Sequence, residues 1–205
     1  MNFITNINGQ FFIAAYLIGG IPFGLLLAKW FAKVDINKSG SKSIGATNVL
    51  RVVKQTDPIL AKKLGAATVI LDALKGAAVI IIAYFVGLTN ASLWAIAVLA
   101  VIGHCFSPYL NFHGGKGVAT GVGVMFVMLP METIIAIVVW IVMAKLIKIS
   151  SLSSLVALLA LLVSSFILRP SMAHAPIILI AIIIVYKHIP NMIRLILGKE
   201  KKILS

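Results

Sequence analysis

The chain has 205 residues, is 61% hydrophobic and carries a formal net charge of +13 from 18 basic and five acidic side chains. Its mean hydropathy is +1.11, well above that of a soluble domain, which is close to half apolar. It is read as an all-α polytopic membrane protein forming one domain over 1–205. The acids are Asp35, Asp57, Asp72, Glu132 and Glu200, too few for a paired-carboxylate or two-metal site. The single cysteine, Cys105, excludes an internal disulfide and a cysteine-rich metal site. The basic residues stand between apolar segments, as in membrane loops, which argues against a nucleic-acid partner.

Apolar runs fall at 10–30, 66–87, 92–107, 118–129, 131–147, 152–168 and 174–190. The first is of spanning length, and no A-x-A-like cleavage site follows it. A helix needs about 20 residues to cross the hydrocarbon, so the two short runs divided by Pro130 read as one kinked helix or two short ones. Charge decides between them. Seven helices with the N-terminus outside put the basic residues from Lys29 to Lys63, Lys116, Lys145, Lys148, Lys187, Arg194 and the tail lysines at the cytoplasmic face. Only Arg169 then lies outside, whereas six helices would set Lys145 and Lys148 opposite Lys116. Seven transmembrane helices and a cytoplasmic C-terminus are therefore expected.

Three polar islands map to that face. The first, residues 39–51, lies in a long loop expected from Phe31 to Gly65. It offers small and hydroxyl residues, among them Ser41 and Gly45, then Thr47-Asn48 as an N-cap, with Arg51 one turn in. Hydroxyls, free N–H groups and a guanidinium make a phosphate seat; a capped linker is the alternative. Inside the second run, Asp72 and Lys75 share a helix face and are expected to form a structural ion pair.

The central island runs from Gly103 to Gly117, with Gly114, Gly115 and Gly117 around Lys116. Bare N–H groups and the start of the next helix suit an oxyanion, although this loop alone favours the plainer reading of a membrane-edge turn with one lysine; the other two islands on the same face turn the balance. It is not a Walker A loop, since Gly117 stands where Ser or Thr is required. Ser150, Ser151, Ser153 and Ser154 open the sixth run as caps and hydroxyl donors. The third island spaces His188, Asn191 and Arg194 by three, on one face if the helix continues through Pro190. His113 and His174 receive no role.

The islands supply anion donors and almost no base. His104, His113, His174 and His188 are followed five residues on by Tyr109, Val118, Leu179 and Ile193, so the His-x-x-x-x-Asp acyltransferase pattern is absent. A G-x-S-x-G elbow and the carboxylate motif of CDP-alcohol transferases are absent as well. What remains is a site for one or two phosphorylated substrates, working by positioning and charge stabilisation. A transporter or channel for an organic phosphate fits the same features, although no inverted repeat is visible.

Gly103-His104-x-Phe106-x-Pro108 with Phe112-x-Gly114-Gly115-Lys116-Gly117-Val118, Ser39-Gly40-Ser41 with Gly45-Ala46-Thr47-Asn48-Val49-Leu50-Arg51, and His188-x-x-Asn191-x-x-Arg194 resemble the three signature motifs of the PlsY family. These are bacterial acyl-phosphate:glycerol-3-phosphate acyltransferases, and the similarity spans nearly the whole chain. The resemblance implies a seven-helix inner-membrane enzyme whose active site faces the cytoplasm. Its activity would be transfer of an acyl group from acyl phosphate to the 1-hydroxyl of glycerol 3-phosphate, giving lysophosphatidic acid and phosphate in the first step of phospholipid synthesis. It implies no cofactor and no metal, and as partners the two substrates, the bilayer and the soluble enzyme that makes acyl phosphate. Lys116, Arg51, His188 and Asn191 would be catalytic. Ser41, Gly45, Thr47, Asn48, His104, Gly114, Gly115, Gly117, Ser151, Ser154 and Arg194 would bind substrate. The family usually reads Gly-Ser-Gly-Asn-x-Gly where this chain has Gly40-Ser41-Lys42-Ser43-Ile44-Gly45. A lysine takes a positive φ less readily than glycine, and Lys42 brings a charge in exchange.

Overall fold

The computed structural model describes residues 6–203. The ends of the expected domain, 1–5 and 204–205, lie outside the described residues, within which all regular structure is helical. Helix α1 (Ile7–Gly20) is capped by Asn6 and stops at Ile21-Pro22, where proline withdraws an N–H, and α2 (Phe23–Phe31) continues the same apolar segment. The short α3 (Ala46–Val53) buries Val49, Val52 and Val53 against Leu25, Ala28, Ile36 and Ile44. Helix α4 (Pro58–Phe85) starts at Asp57, whose carboxylate accepts from the amides of Ile59 and Leu60. This start corrects the expected 66–87 run: Lys62 and Lys63 are exposed on a helical turn, not in a loop.

Helix α5 (Asn90–Cys105) is followed by a 3-10 turn at Pro108–Leu110, and α6 (Val118–Met128) by α7 (Pro130–Ile147). Two helices divided at Pro130 were expected, and two are found. Helix α8 (Ser150–Leu168) precedes α9 (Ala175–Ile196), which runs through Pro190 and so extends past the expected end at residue 190. Among the described residues, six apolar segments have the length to cross a bilayer, counting Ile7–Phe31 as one. The eleven residues of α6 rise about 16 Å, half the hydrocarbon thickness. Large apolar side chains such as Phe85, Leu146, Ile167 and Ile196 stay exposed along the helices, as a lipid-facing surface requires.

Helices in lipid gain little from burying apolar surface and pack through close backbone approach at small residues. Gly19 lies against the backbone of Ala100, and Gly103 against the carbonyl of Tyr16, which joins α1 to α5. Gly123 lies on Ala73 and Gly76 on Thr120, which joins α6 to α4. The polar groups then collect at two ends. At one, Thr47 Oγ1 lies 3.2 Å from Ser150 Oγ, and the Ile203 amide donates to the Lys148 carbonyl at 2.7 Å. At the other, Arg169 Nε donates to the buried carboxylate of Glu132 at 2.8 Å, and His174 stacks on Phe166 with 3.9 Å between centroids.

A leucine at position 123 would drive into the Ala73 backbone. Gly123→Leu should cost about 3 kcal/mol, read as a fall in thermal midpoint in detergent micelles. In Gly65→Ala the new methyl meets only ordinary contacts, the first at 3.6 Å, and the midpoint should hold.

Candidate active site

The first polar loop is folded around Asn48, which is 1% exposed. Its amide donates to the carbonyls of Ile36, Ser39 and Ser43 at 3.0, 3.2 and 2.8 Å, and its oxygen accepts from the Ser41 amide at 2.8 Å. The expected N-cap at Thr47 or Asn48 is therefore corrected: the helix starts at Ala46, with Gly45 as a cap that makes no side-chain bond. Asn48 points back and orders the loop. Lys42 has φ +58°, a left-handed position that costs a side chain about 1 kcal/mol. Ser41, Gly45, Thr47 and Arg51 border a cavity, as does Asn48 itself.

In the central loop the glycines lay the chain flat on the end of α5. The Gly115 amide donates to the His104 carbonyl at 3.0 Å, and a Cβ on Gly114 would collide with the same carbonyl. Gly114 and Gly115 thus serve close approach, and Gly115's N–H is not free for an anion. Gly117, at φ +82°, is the N-cap of α6 without a side-chain bond. The first turn of α6 (Gly117, Val118 and Ala119) and Lys116 face the cavity. Burial holds the Lys116 ammonium down at a pKa of about 8; Arg194 and Arg51 add to the shift, and Glu200 opposes it.

Because α9 continues past Pro190, His188, Asn191 and Arg194 share one face. His188 Nδ1 is 2.8 Å from the Ile184 carbonyl. A carbonyl only accepts, so Nδ1 carries the hydrogen and Nε2 keeps its lone pair. Asn191 and Ser151 donate to one oxygen of Glu200 at 2.5 and 2.9 Å, and Arg194 Nε to the other at 2.6 Å. Burial would raise the Glu200 carboxyl, but these bonds outweigh it and hold it below its ordinary value. The role of Glu200 was not foreseen: in sequence it is one acid in a basic tail, and its partner Ser151 is 49 residues away. Among the α8 serines, Ser154 donates to the Ser150 carbonyl at 2.9 Å and accepts from Trp140 Nε1 at 3.1 Å.

The expected pair of Asp72 and Lys75 is present at 2.7 Å and buried. Sequence reasoning missed its neighbour: Lys75 Nζ is also 3.0 Å from His104 Nδ1.

A cavity of roughly 520 Å³ unites these parts. Ser41, Gly45, Thr47, Asn48, Arg51, His104, Lys116, Gly117, Ser151, Ser154, His188 and Asn191 border it, with Glu200. Gly114, Gly115 and Arg194 do not border it: the two glycines pack on His104, and Arg194 bonds the lining residue Glu200. The rest of the lining is mostly apolar, with Val69, Met125, Trp140, Leu158, Leu161 and Ile184, but it also includes Asp72, Thr133 and Lys201. An oxyanion fits the first end by charge, and an alkyl chain fits the second.

The sequence pattern described as "Glycerol-3-phosphate acyltransferase" matches residues 10–198. The chain belongs to that family. It is 69% identical to the glycerol-3-phosphate acyltransferase of Sulfurimonas denitrificans over 99% of this chain and all of that one. It is 61% identical to that of Nitratiruptor sp. over 99% of each. A crystal structure of PlsY, an integral membrane glycerol 3-phosphate acyltransferase, in its glycerol 3-phosphate form superposes with a TM-score of 0.86 at 32% identity over 96% of both chains. The lysophosphatidic acid form gives 0.83 over 96% of this chain and 95% of that one.

The Glu200 tether binds the tail of the acyltransferase to its α8 and α9. Since its carboxyl lies below the ordinary value of 4.5, the tether contributes in full above that pH and is lost as pH falls through the lower native value. Glu200→Ala at neutral pH should speed tryptic cleavage after Lys201 about tenfold, the equivalent of one charged hydrogen bond. Unchanged cleavage would contradict the tether.

Proposed function

We propose that this chain is an acyl-phosphate-dependent glycerol-3-phosphate 1-O-acyltransferase of the bacterial inner membrane. One observation carries the reading: a cavity whose cationic groups, Arg51 and Lys116, lie with His188 beside a largely apolar lining. Such a cavity takes an acyl chain from the bilayer while the head stays among charges. The PlsY structures in glycerol 3-phosphate and lysophosphatidic acid forms support substrate and product of this kind.

Acyl phosphate is already activated, so no acyl-enzyme is needed. The 1-hydroxyl oxygen of glycerol 3-phosphate attacks the acyl carbon, and the bond from that carbon to the phosphate oxygen breaks. Phosphate leaves with the electron pair. The hydroxyl proton passes to His188 Nε2, the nitrogen left free by the bond from Nδ1 to Ile184. Lys116, Arg51 and the first amides of α6 hold phosphate and stabilise charge as it grows. Asn191 orients glycerol 3-phosphate beside His188. Asn48, with its amide committed to the loop, positions Ser41 and Thr47 and does not bind substrate directly.

Seven crossings, with α6 as a short one and the N-terminus outside, put this cavity at the cytoplasmic face. The basic residues around Lys29, Lys63, Lys145 and Lys148 support that orientation. The soluble enzyme that makes acyl phosphate would deliver its product there.

Purified protein given acyl phosphate and glycerol 3-phosphate should release phosphate and lysophosphatidate in equal amounts. Phosphate uptake into vesicles without lysophosphatidate would mean a transporter instead. Lys116→Ala should lower kcat/KM by about 10²–10³-fold; near-normal turnover would contradict the phosphate seat. Lys116 loses its charge as pH rises through about 8, so kcat/KM should fall above that pH. In Lys116→Arg, whose guanidinium stays charged, this alkaline limb should vanish.

A further inference from the structure

The reaction above leaves the buried group of Asp72, Lys75 and His104 without a task. The Lys75 ammonium donates to the Ile21 carbonyl at 2.7 Å and faces His104 Nδ1 at 3.0 Å, and Asp72 Oδ1 stands 2.7 Å away as its ion-pair partner. Ile21 lies at the break between α1 and α2, where Pro22 brings no N–H to the helix. An ammonium only donates, so His104 Nδ1 must give its lone pair. The neutral ring then carries its hydrogen on Nε2. Asp72 is 3.7 Å from the same Nδ1, beyond a hydrogen bond, and balances the charge of Lys75 instead.

Nε2 lies over Gly115, where a Cβ would strike the ring, and His104 borders the cavity beside Lys116 and Gly117. Among the described residues, the ring of His104 hydrogen-bonds through Nδ1. His188 is arranged in the opposite sense. Its Nδ1 gives the hydrogen to Ile184, so its Nε2 accepts. One cavity thus holds one histidine fixed as donor and one fixed as acceptor.

We propose that Lys75 is a tautomer lock for His104, and that His104 Nε2–H donates to the acyl-phosphate carbonyl oxygen as it gains negative charge. The second half rests on the reaction proposed above. Lys75 is a positioning residue: it acts only through His104. The attack leaves the electron pair of the carbonyl on oxygen, a donor fixed there beforehand stabilises it, and no proton need be transferred from His104.

Nitrogen NMR of histidine-labelled protein in micelles, without substrate, reads the tautomer directly. His104 in the wild type should be the Nε2–H form. Lys75→Met should convert it to Nδ1–H, now able to turn to Asp72, with kcat falling at least tenfold and KM for glycerol 3-phosphate little changed. Lys75→Gln, whose amide still donates, should restore the tautomer and most of the turnover. A second pair needs no change at Lys75. His104→Gln sets an amide donor where Nε2–H stood, His104→Asn sets one at Nδ1, and the first should be at least tenfold more active. A wild-type Nδ1–H signal would overturn the proposal, as would Lys75→Met with unchanged tautomer and kcat, or equal inactivity of His104→Gln and His104→Asn. An Nε2–H signal in a wild type that releases no phosphate would sink the proposed reaction and leave the lock standing.

Discussion

Like-charge repulsion is the constraint around which this protein is built. Arg51, Lys116 and Arg194 come from segments far apart in sequence and converge on one cavity, with Glu200 as the carboxylate between them. The depressed Lys116 pKa of about 8 expresses burial first; Glu200 opposes it, and Arg194 and Arg51 add smaller downward pushes. Such an arrangement persists only if other contacts hold the segments in place, and it favours any anion that can enter. The Asn48 network, the Thr47–Ser150 contact and the Glu200 tether provide those contacts. Each joins a polar loop or tail to a helix end.

The lipid setting explains where the cavity lies. Backbone groups in hydrocarbon must be satisfied within helices, so irregular chain is tolerated at the ends or against polar partners. The break at Ile21-Pro22 is one such place, and Lys75 takes the freed carbonyl. Glycines at helix crossings let α6 sit close on α4 although it is short. That leaves room beside it for the mostly apolar cavity.

What the sequence made legible was local. The apolar fraction and mean hydropathy pointed to a membrane protein, Pro130 marked the division between α6 and α7, and the spacing of three marked the Asp72–Lys75 pair and the His188 face. Residue types at short spacing suffice for such readings. Partnerships across the fold were not legible. Glu200 looked like tail charge because Ser151 and Arg194 reach it only after α9 has turned the tail back. Lys75 meets His104 across 29 residues through the packing of α4 on α5. Asn48 read as a cap because Thr-Asn before an apolar run usually is one, but carbonyls of residues 36–43 outcompeted the helix amides for its side chain. Gly115 read as an anion donor, yet its N–H is spent on the His104 carbonyl 11 residues back.

The central claim is that distant segments form one phosphate seat, and energetic coupling between them tests it most directly. Equilibrium binding of glycerol 3-phosphate to the wild type, Arg51→Ala, Lys116→Ala and the double variant closes a thermodynamic cycle. The account predicts a coupling energy of about 1 kcal/mol or more, since both cations grip bound phosphate in one cavity. Strictly additive losses, or binding unaffected by either change, would contradict it.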